Sequence, residues 1–472
     1  MNMQMKASDE VRRLAFFGAL ACLPLVAPCG SLQVDFGKTV GPVKPVNGVG
    51  QGPLLGWDNT KMFSYLKDAR IPYSRLHDVG GPFGKNLYVD IPNIFRDFDA
   101  DETDPKNYDF AFTDNYIKAL VENGVEPVYR LGVTIENRAP DVKPLRVLPP
   151  KDFAKWARIC EHVVAHYTKG WANGFNYRIG MWEIWNEPDD QPEKKSYMWQ
   201  GPWSEYVRLY VTVSKHLKSR FPDIKICGYG CCGFNCVNAR TIWGEEVTPW
   251  FDRWNDCFTN FLAEVKSAGA PLDVFTFHSY ADVGHYEGQI AYARKMLDKY
   301  GFNRTETALD EWLPSPRKEK SGTALQAAEV AAALCVFQNS PLDYAMIYDA
   351  RCGLGEYTPF FDPVTQKPRK AYLSFRAFAE LRQLKSAAAM TAELPVGVWA
   401  TAATDGRACG AILLANATKA AANVRIGCGK WKFTRCRAIG PTLDFEPFPF
   451  DGVVPGETTL LIEAANEPED GK

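Results

Sequence analysis

The sequence predicts an α/β fold: a (β/α)8 TIM barrel carrying a small β-sandwich built from the C-terminal region plus an N-terminal strand. Three observations predict it. Eight short apolar runs alternate with helix-period segments between Val46 and Leu384. Polar residues and aromatics collect just behind those runs. From Glu393 the helical pattern stops and short alternating segments broken by Asp-Gly, Asn and Gly take over. With 472 residues the chain can hold one large barrel and an appendage.

The elements follow in order. Arg12 and Arg13 precede an apolar run, Leu14 to Ala27, of signal-peptide length, and a Cys follows at position 29. Residues 1–30 are therefore expected to be an export signal, giving a periplasmic or extracellular protein. Thirteen scattered cysteines, an odd number, fit a reducing cytoplasm better and keep that alternative open. Residues 31–45 read as a strand that joins the sandwich, with Val34 and Phe36 on one alternating face that Val40 can extend. Residues 46–388 form the expected barrel.

Its strand candidates are Val46–Val49, Ile71–Leu76, Val125–Leu131, Tyr177–Trp185, Ile224–Gly228, Leu272–Phe277, Thr305–Leu309 and Leu342–Tyr348. Helical patterns cover Asn115–Glu122, Lys151–Tyr167, Trp203–Arg220, Trp250–Ala268, Tyr286–Tyr300, Thr323–Gln338 and Lys370–Leu384. In the second of these, Phe153, Trp156, Cys160, Val163, Val164 and Tyr167 make one stripe. Residues 389–465 form the expected sandwich and 466–472 a loose tail.

Composition excludes some classes. Hydrophobic residues at 46% and charged residues at 23% mark a globular chain, and a net charge of −2 gives nucleic acid or an anionic membrane no attraction. No span of membrane-crossing length is expected, and the oligomeric state is not legible. Aromatics at 13% suit sugar stacking as well as a large core. Nucleotide motifs fail: Gly48, Gly50 and Gly52 are misspaced, and Gly80 to Asn86 lacks a P-loop's first glycine and its Ser/Thr. Cys227, Cys231, Cys232 and Cys236 read as a loop cluster without zinc spacing. His162 and His166 lack the Glu of a metalloprotease helix and read as a satisfied helix face.

In a barrel, catalytic groups come from the C-terminal ends of strands. Here His77 and Asp78 follow the second strand, Asn186 and Glu187 the fourth, and His278 and Tyr280 the sixth. Asp310 and Glu311 follow the seventh; Tyr348, Asp349 and Arg351 close the eighth. Two carboxyl groups suffice to hydrolyse a glycosidic bond: one moves the proton, the other attacks or activates water. Glu187 and Glu311, 124 residues apart (311 − 187), are the obvious pair. Strand alternation points Asp310 away from Glu311. Glu183 shares the parity of Glu187 and is expected to hold a neighbour. Asp349 and Arg351 are open between an ion pair that shapes the pocket and a contact to substrate.

The stretch Trp182-Glu-Ile-Trp-Asn-Glu-Pro188 resembles the fourth-strand signature of the retaining glycosidases of clan A. More closely, the chain resembles glycoside hydrolase family 39, the family of β-xylosidases and α-L-iduronidases. Residues 34–53, RIPYSRLHD (70–78), FTFHSYA (275–281) and LDEW (309–312) carry that likeness. The resemblance implies Glu187 as acid/base and Glu311 as nucleophile, with no metal or organic cofactor. It implies Asn186 on the sugar 2-hydroxyl, and His77, His278 and Tyr280 lining the sugar subsite, with Tyr280 also near the nucleophile. The substrate would be an oligosaccharide or glycoside, a β-xyloside first, with arabinoside, galactoside or iduronide as alternatives. A non-catalytic carbohydrate-binding homologue is the contrasting class. The departure is at the eighth strand, where many members place a Trp and this chain has IYDARCGLGEY (347–357). The copy Asn466-Glu467-Pro468, without tryptophans or a strand, carries no function.

Overall fold

The structure, a computed structural model, describes residues 29–55, 61–77, 79, 88–133, 147–190, 196–232 and 248–466, the side chains of 248–251 excepted. The expected signal before Cys29, Asp78, the segment 80–87, Cys236 and the tail beyond Asn466 lie outside these residues.

Eight parallel strands close into a barrel in chain order. They are β2 (Gly48–Val49), β3 (Tyr73–Leu76), β4 (Glu126–Leu131) and β5 (Met181–Ile184), then β6 (Lys225–Cys231), β7 (Val274–Ser279), β8 (Glu306–Trp312) and β9 (Tyr344–Ile347). Each expected strand is present. The fourth is shorter than expected, and β6 runs on to Cys231. Helices follow the strands, from the short Phe63–Asp68 to Lys370–Gln383.

The helices start and stop for local reasons. Asp152 accepts hydrogen bonds from the N–H groups of Ala154 and Lys155 and so opens Phe153–Lys169, which ends at Gly170 with φ 72°. The expected stripe from Trp156 to Tyr167 is buried there. Thr323 caps Ala324–Asn339 in the same way. That helix carries buried alanines on nearly every side because it is sandwiched between the barrel and the second sheet. Small residues let both approach it: Asn339 donates to Ala400 O at 2.9 Å and accepts from Thr401 Oγ1 at 2.9 Å.

The second unit is one nine-stranded, mostly antiparallel sheet. It contains β1 (Cys29–Pro42), β10 (Ser386–Glu393), β11 (Val398–Thr404), β12 (Cys409–Asn416) and β13 (Ala422–Gly427). It continues with β14 (Trp431–Ile439), β15 (Asp444–Pro447), β16 (Val453–Val454) and β17 (Thr458–Asn466). The N-terminal strand lies between β10 and β13, as expected of a sandwich built from both chain ends. Phe36 of β1 packs 5.0 Å from Trp431 of β14, and a Cβ on Gly410 of β12 would sit 2.5 Å from the Phe36 ring. Those strands are three or more places from β1 in the sheet, so the sheet curls over itself around a second core of Leu32, Val34, Ile412, Leu414, Leu460 and Ile462.

Two details differ from expectation. Val40 is 65% exposed, because register shifts on both sides of Thr39 break the alternation that buries Val34 and Phe36. Asn466 belongs to β17, opposite Trp431, and not to a tail. All eleven described cysteines are free thiols. No helix among the described residues is long and apolar enough to cross a membrane.

Phe36→Ala should remove a fully buried ring that joins β1 to β12 and β14. It should lower the stability of the second unit by about 3–5 kcal/mol, read as a drop in the urea midpoint. A loss below about 1 kcal/mol would mean that β1 is not integral to that core.

Candidate active site

β5 brings the two tryptophans and the acid together. Trp182 and Trp185 are buried beneath the strand end. Trp182 stacks on Tyr129 at 5.2 Å, and Trp185 meets Trp199 edge-on at 5.1 Å. Their indole N–H groups donate to Ile179 O and Met198 O. Beyond Ile184 the chain leaves the ladder through left-handed backbone at Trp185 (φ 72°) and Glu187 (φ 42°). Non-glycine residues rarely adopt it, so neighbours must hold it. Trp185 N–H donates to Leu131 O at 2.8 Å, and Glu187 N–H to Gly230 O at 3.0 Å. A Cβ on Gly132 would lie 2.9 Å from Trp185 Cα, so the close approach needs glycine there. Asp189 anchors the far side: its carboxylate accepts from Cys232 N–H, and its carbonyl accepts from Arg253 and Trp254.

Arg75, on β3 and fully buried, is the hub. Nε faces Glu183 Oε2 at 2.6 Å and Asp310 Oδ2 at 3.0 Å. Nη1 donates to Glu311 Oε1 at 2.7 Å, and Nη2 to Asn186 Oδ1 at 2.5 Å. The last contact fixes the Asn186 amide, leaving its NH2 group as the donor for a ligand. Burial opposes the charge on Arg75, but Glu183, Asp310 and Glu311 outweigh it. Glu183 thus holds a neighbour, as expected.

The two carboxyl groups of interest sit in opposite electrostatic surroundings. Burial raises the Glu187 pKa, and the charges of Glu311 and Asp189 add to this against the opposing hydrogen bond from His278. Burial would raise Glu311 too. There His278, His77 and Arg75 outweigh it, and Glu311 lies below the usual carboxylate range. Tyr280 donates its hydroxyl to Glu311 Oε2 at 2.8 Å. His278 Nδ1 lies 2.7 Å from Glu187 Oε1 and 3.5 Å from Glu311 Oε2, a bridge between the pair. Burial would lower the His278 pKa; the Glu311 charge and the Glu187 hydrogen bond lead the groups that push it up to about 9. His77 Nε2 is 3.6 Å from Glu311 Oε1, and burial holds its pKa well below the ordinary value. One oxygen of Glu187, one of Glu311 and one His278 nitrogen all lie within 4.8 Å of one another.

Asp310 does not point away from Glu311. Phe277 pairs with Leu309 and His278 with Glu311, so Asp310 is an extra residue in β8. A bulge re-aims side chains, and both carboxyl groups turn inward to Arg75. Burial and the Glu183 charge raise the Asp310 pKa well above its ordinary value, while Glu183, beside Arg75, stays low. Their surroundings thus push the two carboxyl groups in opposite directions, Asp310 up and Glu183 down.

The eighth strand end forms an aromatic and ionic wall. Tyr348 lies 5.9 Å from the His77 ring and 6.4 Å from Tyr280. Arg351 pairs with Asp349 through Nε at 2.8 Å and stacks on the Tyr348 ring at 5.5 Å. Of the two options left open at these positions, the ion pair is present. Tyr357 completes the wall, 5.3 Å from Tyr280 and 6.0 Å from Tyr348.

All nine anticipated residues thus meet at the C-terminal end of the barrel. Sequence reasoning missed Arg75 and Tyr357, and also Gln51, whose Oε1 accepts from His77 N–H at 3.0 Å, and it aimed Asp310 the wrong way. Parity held a signal for Arg75: it stands two residues before His77, hence on the same strand face. Elsewhere, His166 pairs with Asp114 at 2.9 Å and His162 meets Tyr108 at 3.2 Å, a satisfied helix face as expected. Two of the four clustered cysteines are not in a loop: Cys227 and Cys231 lie in β6, Cys227 packed against Val128, Met181 and Val274.

The model of glycosyl hydrolases family 39 matches residues 30–317, more than half of the chain. A β-xylosidase of Geobacillus stearothermophilus is 23% identical over 220 residues, 46% of this chain and 39% of that protein. The match therefore spans about two fifths of the curated relative's length. Among solved structures, a glucosidase from Croceicoccus marinus aligns with TM-score 0.70 at 19% identity, covering 93% of this chain and all of that one. A GH39 β-xylosidase from Caulobacter crescentus aligns with TM-score 0.63 at 18% identity over the same shares. These structural likenesses bear on the fold; the family model bears on descent, and by it the chain belongs to family 39 of the glycosyl hydrolases.

Proposed function

We propose that this protein is a retaining, exo-acting glycoside hydrolase that releases β-linked xylose from plant-polysaccharide oligosaccharides. One observation carries the reaction type: oxygens of Glu187 and Glu311 lie within 4.8 Å of each other. Retaining enzymes hold their two carboxyl groups about 5–5.5 Å apart, whereas inverting ones need about 6.5–9.5 Å to admit a water. The xylose assignment leans on the β-xylosidases among the relatives.

In the first step a Glu311 oxygen attacks the anomeric carbon. The bond to the leaving oxygen breaks, and Glu187 gives that oxygen its proton. In the second step Glu187 takes a proton from water, the water oxygen attacks the same carbon, and Glu311 leaves as a carboxylate. Glu311, fully engaged by Arg75 and Tyr280, is ionised for attack. Glu187, with its side chain 22% exposed, can reach a leaving group. Asn186 offers its NH2 to the sugar 2-hydroxyl, and the Tyr280, Tyr348 and Tyr357 rings face the sugar.

Among nitrophenyl β-xyloside, α-L-arabinofuranoside, β-galactoside and α-L-iduronide, the xyloside should turn over fastest. Glu311→Ala should cut kcat/KM by about 10³-fold or more, and Glu187→Gln on an unactivated xyloside by about 10²–10⁴-fold. Preference for the arabinoside would move the substrate to the class named by a Thermotoga maritima structural neighbour, an α-L-arabinofuranosidase. Proton NMR early in turnover should show the β-anomer first; the α-anomer first would sink the double displacement.

The pH profile of kcat/KM should be a broad bell. Glu311, ionised below the usual carboxylate range, sets the acid limb; Glu187, protonated above it, sets the alkaline limb. Activity therefore falls when acid protonates the nucleophile and when base deprotonates the acid. In Glu187→Gln the alkaline limb should vanish and the acid limb remain. Loss of the acid limb instead would reverse the two roles.

We also propose export, on the Arg12-Arg13 pair and the apolar run to Ala27. Cys29 and Gly30 already pair with Asn423 and Val424, so processing before Cys29 keeps β1 whole. Mass spectrometry of protein from the periplasm and medium should find an N-terminus near Cys29. An intact leader on protein confined to the cytoplasm would overturn it.

A further inference from the structure

The double displacement gives Asp310 no role, yet this carboxyl is 1% exposed in the middle of the barrel mouth. It is placed there by the bulge in β8, which departs from simple alternation toward both neighbours: Leu309 and Trp312 pair with Ala345 and Ile347 of β9. Nothing in barrel closure requires an inward carboxyl, and an unpaired buried charge is expensive. Its Oδ2 shares Arg75 Nε with Glu183, and its Oδ1 lies 3.6 Å from His278 Nε2, the ring nitrogen that faces away from the two glutamates. Two carboxyl groups on one N–H cannot both ionise cheaply.

We propose that Asp310 is a positioning residue for the acid/base: a neutral carboxyl that shares one proton with Glu183 and faces its Oδ1 to His278 Nε2. It thereby keeps His278 doubly protonated and aimed between Glu187 and Glu311. The inference rests on the glycosidase reading for its kinetic consequence, but not for its effect on His278. The charged and titratable groups around it are Arg75 on β3, Glu183 on β5, Cys227 on β6, His278 on β7 and Glu311 on β8. Arg130 on β4 is engaged by Asp90, and the β2 side presents only the backbone of Gly50 to Asp310 O. On this assignment His278 is an imidazolium with Glu187 and Glu311 on one side and, on the other, the Asp310 carboxyl oxygen 3.6 Å from Nε2, close but not hydrogen-bonded. An imidazolium at that place steadies the Glu187 carboxylate that forms when the proton leaves.

The test is the titration of His278 in the free protein, followed by ¹⁵N imidazole shifts with histidine labelling and assigned through His278→Gln. Asp310→Asn copies the shape and neutrality of a protonated Asp. It should leave the His278 titration within about half a pH unit of that in the unsubstituted protein. Asp310→Ala removes the carboxyl oxygen that faces Nε2 and should lower the His278 titration by about one unit or more, tenfold in the protonation equilibrium. On the xyloside, Asp310→Ala should cut kcat by about tenfold or more with KM within about twofold, and move the alkaline limb; Asp310→Asn should keep the alkaline limb in place. If Asp310→Asn shifts His278 as far as Asp310→Ala does, Asp310 is an anion and the proposal falls. It falls equally if neither variant moves His278. Should Asp310→Ala not fold, Asp310→Leu, of similar shape without a polar oxygen, takes its place with the same expectation. A His278 titration that behaves as expected in a protein without glycosidase activity would remove the function and leave the placement of the proton intact.

Discussion

The Arg75 guanidinium is the contact on which the site depends. A single buried cation touches Glu183 on β5, Asn186 behind β5, and Asp310 and Glu311 on β8. Removing a guanidinium from water costs several kcal/mol, and only a full set of partners offsets it. Arg75 has that set because its planar fork spans the barrel mouth, with Nε between Glu183 and Asp310, Nη1 on Glu311 and Nη2 on Asn186. In turn, each partner is fixed where a ligand must find it. Replacing such a cation strands buried carboxylates, a loss of about 3–5 kcal/mol, so the same contact stabilises the barrel mouth and ionises Glu311.

The second constraint is the strained exit from β5. Left-handed residues at Trp185 and Glu187 are unfavourable alone, by about 1–3 kcal/mol each. Two backbone hydrogen bonds, the Trp185 indole bond and the Asp189 anchor over-determine the segment. Pro188 then prevents any return to the ladder. The abundance of aromatic and polar residues in WEIWNEPDD follows: the rings brace the turn from below, and Asn186 and Glu187 stand on top of it. On the proposed assignment, an acid/base held in this way does not have to be ordered by substrate, which spares binding energy for the reaction.

Much of this was legible in the sequence because barrel strands are apolar runs ended by polar groups, and that contrast marks both the strand and the site. Glu187 and Glu311 were readable from their places behind the fourth and seventh runs. Arg75 was not singled out: parity puts it on the face of His77, but the partners that give it a role lie on other strands. Asp310 was misread because alternation is a rule for regular strands, whereas a bulge is visible only in the pairing with neighbours. Tyr357 escaped because it lies nine residues beyond Tyr348 in a loop, tied back by the Asp349 N–H to Tyr357 carbonyl bond at 2.6 Å. Register and loop closure are collective properties, and no local window contains them.

Charge accounting links the buried network to the chemistry. Before reaction, on the proposed assignment, Arg75 and His278 carry two positive charges; Glu183 and Glu311 carry two negative ones; Asp310 and Glu187 hold protons. The cluster sums to zero. When Glu311 becomes an ester it loses its charge, and when Glu187 gives up its proton it gains one, so the sum is zero again. The negative charge has moved only from one side of His278 to the other, across a ring that stands 2.7 Å from Glu187 and 3.5 Å from Glu311. In a site of low dielectric, a step that created net charge would meet a solvation penalty that water could not relieve. Here neither step creates any. The condition for that balance is one proton between Glu183 and Asp310, because ionising both would leave the nucleophile opposed by an extra negative charge before a sugar had arrived.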